Sequence, residues 1–318
     1  MELGAAMSLP VEEPIEVVLA DLKSDAPLSN SRLVRLSNLG PAELKLLEEA
    51  WLMIESKRRR QIIYRLAEMA EDNIELDFDS VFKNSLKDPD AEVRSKAVDG
   101  LWENEDPSLV APLIALLEND TSAEVQAAAA RGLGKFAVLA ENEKLRSCYK
   151  SKVSQMLLTV FNDVARSLEV RRRALEAVAP FSLPEVTRAI KLAYQGGSAK
   201  LKVSAIYAMG QNCDPAWLPA LLKELTSPDA ELRYEAVVAC GDLGEEEATG
   251  AVIKLVDDPD TDVRLAAIHA LGKIGGGEAK SRLENLLNNA SELVQLAAQE
   301  ALQQLQAWED PTSFHVED

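Results

Sequence analysis

Two histidines, His269 and His315, and three cysteines, Cys148, Cys213 and Cys240, are all the imidazole and thiol chemistry in this chain of 318 residues. The cysteines are odd in number and form no C-x-x-C pair, so neither a disulfide framework nor a thiolate zinc site is signalled. With so few imidazoles, no Ser-His-Asp or Cys-His pairing can be assembled. Gly275-Gly276-Gly277 precedes a helical segment, where free amides could meet a phosphate. It follows a helix rather than a strand, however, and lacks the spacing of a nucleotide-binding loop, so it reads as a turn. The expectation is a protein with no catalytic residue, no cofactor and no metal.

Charge narrows the partners. With 53 acidic and 34 basic residues the formal charge is −19, which repels phosphate backbones and anionic membranes at long range. Nucleic acid and membrane are therefore not expected as partners. Free cysteines fit a reducing compartment, the first ten residues lack the basic-then-apolar order of a leader, and no window approaches the roughly 18 uninterrupted apolar residues of a membrane span. A cytoplasmic location is the expectation.

What positions any site is a phrase that occurs seven times: a capping residue, two spacers, an aliphatic followed by Arg, Lys or Gln, a small residue four after the aliphatic, and an apolar residue four later. Asp90-x-x-Val93-Arg94-x-x-Ala97-x-x-x-Leu101 is the first copy. The others have their aliphatic at Val125, Val170, Leu201, Leu232, Val263 and Val294, giving spacings of 32, 45, 31, 31, 31 and 31. A fixed period in this range is the signature of stacked repeats. Upstream of each phrase lies a second helical pattern, such as Leu218, Leu221, Leu222 and Leu225, so each repeat is a helical hairpin. The joining turns read Asp88-Pro-Asp, Ser227-Pro-Asp and Asp258-Pro-Asp. The residue three before the aliphatic is Asp or Ser in all seven copies, as an N-cap demands, and acids just inside it suit the helix dipole.

The predicted organisation follows. Residues 1–40 form an acidic, partly helical segment, 41–76 an atypical capping hairpin, 77–308 seven repeats, and 309–318 a flexible acidic tail. The 45-residue spacing puts an insertion near 135–152, which extends one helix and lengthens a connection. The clusters Lys57-Arg58-Arg59-Arg60 and Arg171-Arg172-Arg173 fan their charges around a helix and read as solvated faces.

At about 100° per residue, the aliphatic (position 0) and positions 4, 7 and 8 of the phrase share the core face, whereas positions 2, 6 and 9 point away from it. Positions 2 and 6 are small or charged in the first three copies, then become Val203/Tyr207, Tyr234/Val238 and Leu265/His269. Val203, Tyr207, Tyr234, Val238, Leu265 and His269 are therefore the predicted partner-binding residues. An apolar strip in such a place serves a protein or peptide partner, one with basic edges given the acidic flanks. Burial between neighbouring helices is the competing use of the same residues.

The phrase D-x-x-V-R-x-x-A-x-x-x-L-G resembles the HEAT repeat, in the short form found in bacterial phycobilin-lyase HEAT-like proteins. The resemblance spans roughly 77–305. It implies an all-α fold, a right-handed α-solenoid of about eight helical hairpins whose second helices line the concave surface. It also implies an Asp–Arg ladder along the turns, matched at Asp90, Asp229 and Asp260 and at Arg94, Arg233 and Arg264, and interrupted at Gln126, Lys202 and Gln295. HEAT-like deoxyhypusine hydroxylases carry paired His-Glu motifs for iron; here His269 precedes Ala270 and His315 precedes Val316, so that activity is not expected. Two roles stay open: a protein-interaction scaffold, and a lyase-like or chaperone-like holder of a tetrapyrrole, which would need cations such as Lys202, Arg233 and Arg264 beside the strip.

Overall fold

The computed structural model describes residues 13–24, 26–288 and 291–309, and among these residues there are helices and no strands. The predicted tail 309–318 and His315 lie almost wholly outside them, as do the first twelve residues. The chain divides into two compact units, residues 1–136 and 137–318.

The first unit holds α1 (Ile15–Leu22), α2 (Asn30–Leu33), α3 (Pro41–Trp51), α4 (Ser56–Asp72), α5 (Asp79–Ser85), α6 (Ala91–Gly100), α7 (Val110–Asn119) and most of α8 (Ala123–Glu141). The second holds α9 (Ser147–Asn162), α10 (Leu168–Val178), α11 (Pro184–Gln195), α12 (Ala199–Asn212), α13 (Leu218–Glu224), α14 (Ala230–Leu243), α15 (Thr249–Leu255), α16 (Thr261–Ile274), α17 (Gly276–Leu286) and α18 (Glu292–Glu309). Pairing from α3/α4 to α17/α18 gives eight hairpins, all α, as expected. In the second unit α10, α12, α14, α16 and α18 lie side by side, each against the next.

The 45-residue spacing goes mainly into helix. α8 has 19 residues and α9 has 16, against 14 for each of α12, α14 and α16.

Each second helix begins where its cap stands. The Asp90 and Asp260 carboxylates each accept two first-turn amides, Asp229 accepts from the Glu231 amide, and the Ser167 and Ser198 hydroxyls accept from Val170 and Leu201. Positions 0, 4 and 8 form the core, with Val263, Ala267 and Leu271 fully buried; each such large aliphatic contributes about 1.5–3 kcal/mol. Position 5 is buried as well: Ile206, Val237 and Ile268 are fully covered.

Neighbouring second helices touch backbone to backbone. A Cβ added at Gly210 would come within 2.8 Å of Ala239 Cα, and one at Gly241 within 3.0 Å of Ala270 Cα and Cβ. Gly272 stands against Ala301 in the same way, at 2.9 Å. Glycine at position 9 and alanine at position 7 of the next copy are thus a steric pair, repeated at the three steps from α12 to α18.

The ladder exists, but its acid is different from the one the resemblance implied. Arg94 grips Asp120 with Nε and Nη2 at 2.7 and 2.8 Å, and Arg233 grips Asp258 at 2.8 Å through the same two nitrogens. The acceptor is the first acid of the next repeat's turn, two residues before the N-cap. Meanwhile Nη1 of Arg94, Arg233 and Arg264 donates to carbonyls of its own turn. One guanidinium so staples two turns. Gln126 keeps only the own-turn bond, to the Asp120 carbonyl at 2.5 Å, whereas Lys202 reaches Glu224 of the next hairpin at 2.8 Å.

The basic clusters are not solvated faces. Arg59 is 5% exposed and forms a buried pair with Asp88, whose Oδ2 also accepts from Trp51 Nε1 at 2.6 Å. Arg60 donates to Asp90 and, through that hydrogen bond, holds its carboxyl well below the usual range. Arg171 donates to the Phe161 carbonyl, and Arg172 and Arg173 bridge Glu169 and Glu176 on their own helix. An excess of acids in a repeat array leaves few arginines without a carboxylate within reach.

Candidate partner-binding cleft

Position 2 of α14 is Tyr234 and position 6 is Val238; on α16 the same positions are Leu265 and His269. Because the other sides of both helices are consumed by first helices and by neighbours, these four project from the remaining side. They line a cleft of ≈ 620 Å³ between α14 and α16. Tyr234 is 39% exposed, and Val238, Leu265 and His269 are half-buried.

The remaining two predicted residues lie one helix away, on α12, and do not line this cleft. Val203 is buried at 6% exposure and belongs to the packing of α12, whereas Tyr207 is 38% exposed. Burial pushes the Tyr207 hydroxyl above its ordinary range, with Glu176, Asp242 and Glu235 adding to the effect.

The sequence signals acidic flanks without naming the residues that form the rim. Glu231 and Asp262, one residue before the aliphatic, and the N-cap Asp260 line the cleft with Lys273. Glu231 and Asp262 serve the helix dipole, which hid their second use: position −1 lies only 20° from position 6 on a helical wheel. Lys273 is committed to Asp242 at 2.7 Å, and Gln211 donates to the same carboxylate at 3.1 Å. Among the described residues no ion pair reaches Glu231, Asp260 or Asp262.

A second acidic feature sits beside the cleft on α14. Glu235, at position 3, is half-buried and makes no hydrogen bond or ion pair among the described residues. Burial, then the charges of Glu176 and Glu231, push its carboxyl up to about 7. Glu176 itself is satisfied, accepting from Ser204 Oγ at 2.6 Å and Arg173 at 2.8 Å.

The cations that a tetrapyrrole's propionates would need are engaged elsewhere. Lys202 holds Glu224, Arg233 holds Asp258, and Arg264 donates to the Asp258 and Pro259 carbonyls. None of the three lines the cleft. Among the described residues no group of three His, Cys, Asp or Glu is arranged to hold a metal ion, and no helix is long and apolar enough to cross a membrane.

The sequence profile of the HEAT repeats matches residues 80–160 and 218–303, together more than half of the chain. No curated protein shares significant sequence similarity with it. Among solved structures, the complex of CpcE and CpcF of phycocyanin lyase from Nostoc sp. PCC7120 is 16% identical, with 95% of this chain and 100% of that chain covered and a TM-score of 0.51. A designed armadillo repeat protein in complex with the peptide (KR)4 is 22% identical over 61% of this chain and 98% of that one, at TM-score 0.41. Human deoxyhypusine hydroxylase is 15% identical over 92% and 96%, at TM-score 0.36. At these identities the likeness is one of fold.

Proposed function

Because the chain belongs to the HEAT-repeat family, we propose that it is a non-catalytic interaction module that docks a partner protein on the open side of α12, α14 and α16. The observation that carries this reading is the α14/α16 cleft. Tyr234 stands exposed there beside half-buried Val238 and Leu265, on helices whose other sides are used by packing. A solvated helix face would place charged residues at those positions. An exposed aromatic beside aliphatics in a concave site is the kind of anchor on which interface energy concentrates. In this reading residues 77–308 supply the surface, 41–76 cap the array, and the protein acts in the cytoplasm on a partner with basic edges.

The test places a photo-crosslinking amino acid at Tyr234 and, separately, at exposed Ile74 in the first unit. The protein crosslinked at 234 is identified, and its affinity is then measured for the intact chain and for a Tyr207→Ala, Tyr234→Ala, Leu265→Ala variant shown to be helical. Crosslinking confined to 234, with affinity lost in the variant, supports the reading. Equal crosslinking at both positions, or affinity unchanged by the variant, sinks it. A visible chromophore co-purifying with the intact chain and lost from the variant would replace it with a ligand-holding role.

A further inference from the structure

The α14/α16 cleft combines two features that together specify an occupant. Its lining is apolar at Tyr234, Val238 and Leu265, with His269 beside them, and its rim carries Glu231, Asp260 and Asp262, none of them ion-paired among the described residues. The one cation on the rim, Lys273, is already held by Asp242. The cleft therefore carries a net negative charge, eased at Asp260 by two first-turn amides and by the nearby Arg233, beside an aromatic and aliphatic lining. An anionic ligand is repelled, and a purely apolar one leaves the carboxylates facing it without a counter-charge.

We propose, on the basis of the docking role above, that this cleft receives a lysine or arginine side chain from an extended segment of the partner. The stem of such a side chain lies on the floor while its cationic head meets the carboxylates, the way long basic side chains divide between apolar and polar surroundings. Tyr234 gives the head a ring face as well. The occupant is a cationic side chain rather than a basic protein surface in general, because the charge sits at the rim of a ≈ 620 Å³ recess and not on a convex patch.

Fluorescence anisotropy on the full chain tests this with two labelled nine-residue probes, one alternating lysine and serine and the other alternating norleucine and serine. Three variants are compared: Glu231→Gln/Asp262→Asn, Tyr234→Ala, and a control, Glu71→Gln/Asp72→Asn. The control removes the same charge from exposed sites at the end of α4. The expected result is that the lysine probe binds, that the two cleft variants each weaken it by about tenfold, the scale of a charge-assisted contact, and that the control changes it less than about twofold. Raising salt weakens the binding that remains.

Equal loss in the control and cleft variants would show only attraction to the net charge of −19 and overturn the proposal. Preference for the norleucine probe, weakened by Tyr234→Ala, would overturn it while leaving the docking role intact. Failure of both probes, with the crosslinked partner still lost on Tyr207/Tyr234/Leu265 substitution, would do the same. Failure of both with that partner unaffected would remove the docking role too.

Discussion

Glu235 makes the protein less stable as pH rises from about 4.5 to about 7, and its removal abolishes that loss. The carboxyl lies half-buried on α14, without a donor; the charges of Glu176, Glu231 and Asp242 oppose its ionisation and outweigh that of Arg172. These surroundings move it from the ordinary glutamate value of 4.5 to about 7. Between those values the folded chain keeps its proton while the unfolded chain has lost it, so stability falls as pH rises from about 4.5 to about 7 and stays low above. At about 1.36 kcal/mol per pH unit that interval amounts to roughly 3.4 kcal/mol, and partial solvent access reduces it to about 1.5 kcal/mol. Glu235→Gln keeps the shape and removes the titration. At pH 8 it should stabilise the second unit by about 1.5 kcal/mol, and at pH 4 the two proteins should be equal within about 0.5 kcal/mol. Urea midpoints followed by circular dichroism at pH 4, 6 and 8 check this, since a repeat array loses its structure in steps that a single melting temperature averages. A Glu235→Gln protein less stable than the parent at pH 8 would refute the reasoning, because it would mean the carboxylate has a favourable partner.

Three further outcomes follow from the packing. Arg59→Met should cost about 3–5 kcal/mol in urea unfolding, because it strands the buried Asp88 carboxylate; Arg59→Met with Asp88→Asn should recover much of that loss. Gly241→Ala should destabilise by about 1–3 kcal/mol, because its Cβ is forced to 3.0 Å from Ala270, whereas Gly250→Ala, with nothing within 4 Å of its Cβ, should stabilise by up to about 1 kcal/mol through helix propensity alone. Asp260→Ala should cost about 1 kcal/mol, since two first-turn amides lose their acceptor. It should also weaken the lysine probe, which a purely structural cap would not do.

The repeat was legible because its rules are local. Asp and Ser caps, Pro-Asp turns and the 0, 4, 8 aliphatics each act within one hairpin, so spacing and residue type are enough to place them. What joins hairpins was harder to read. Arg233 has the Asp229 cap four residues before it and the Asp258 turn acid 25 residues after it, and only the stacking of turns decides for Asp258. Arg59 looked solvated because a run of four basic residues says nothing of an acid buried 29 residues later. Of the predicted strip, Tyr234, Val238, Leu265 and His269 come together. Val203 does not, because position 2 of α12 is covered by its surroundings while the same position of α14 is open. A wheel drawn for one helix treats all copies alike, and the difference lies in the neighbours.

The glycine–alanine contacts limit which positions of a second helix can change. Second helices that meet at Gly210–Ala239 and Gly241–Ala270 are close enough for backbones to touch. At that distance positions 7 and 9 admit no larger side chain, and positions 0, 4, 5 and 8 are already filled by the core. Positions 2 and 6, with positions −1, 1, 3 and 10, are where the copies of the second unit vary. In unit 2 this variation runs from Arg172/Glu176, closed by its own salt links, through Tyr207, to the open Tyr234/Val238 and Leu265/His269 cleft. Close backbone packing also brings carboxylates on successive helices near one another, and Glu235 near Glu176 and Glu231 is the cost of it. An acidic rim without an ion pair among the described residues accompanies the same geometry that opens the cleft. A cationic side chain bound as proposed would lower the energy of both the apolar lining and the crowded carboxylates, so binding it should raise the stability of the second unit most at high pH, where Glu235 is ionised.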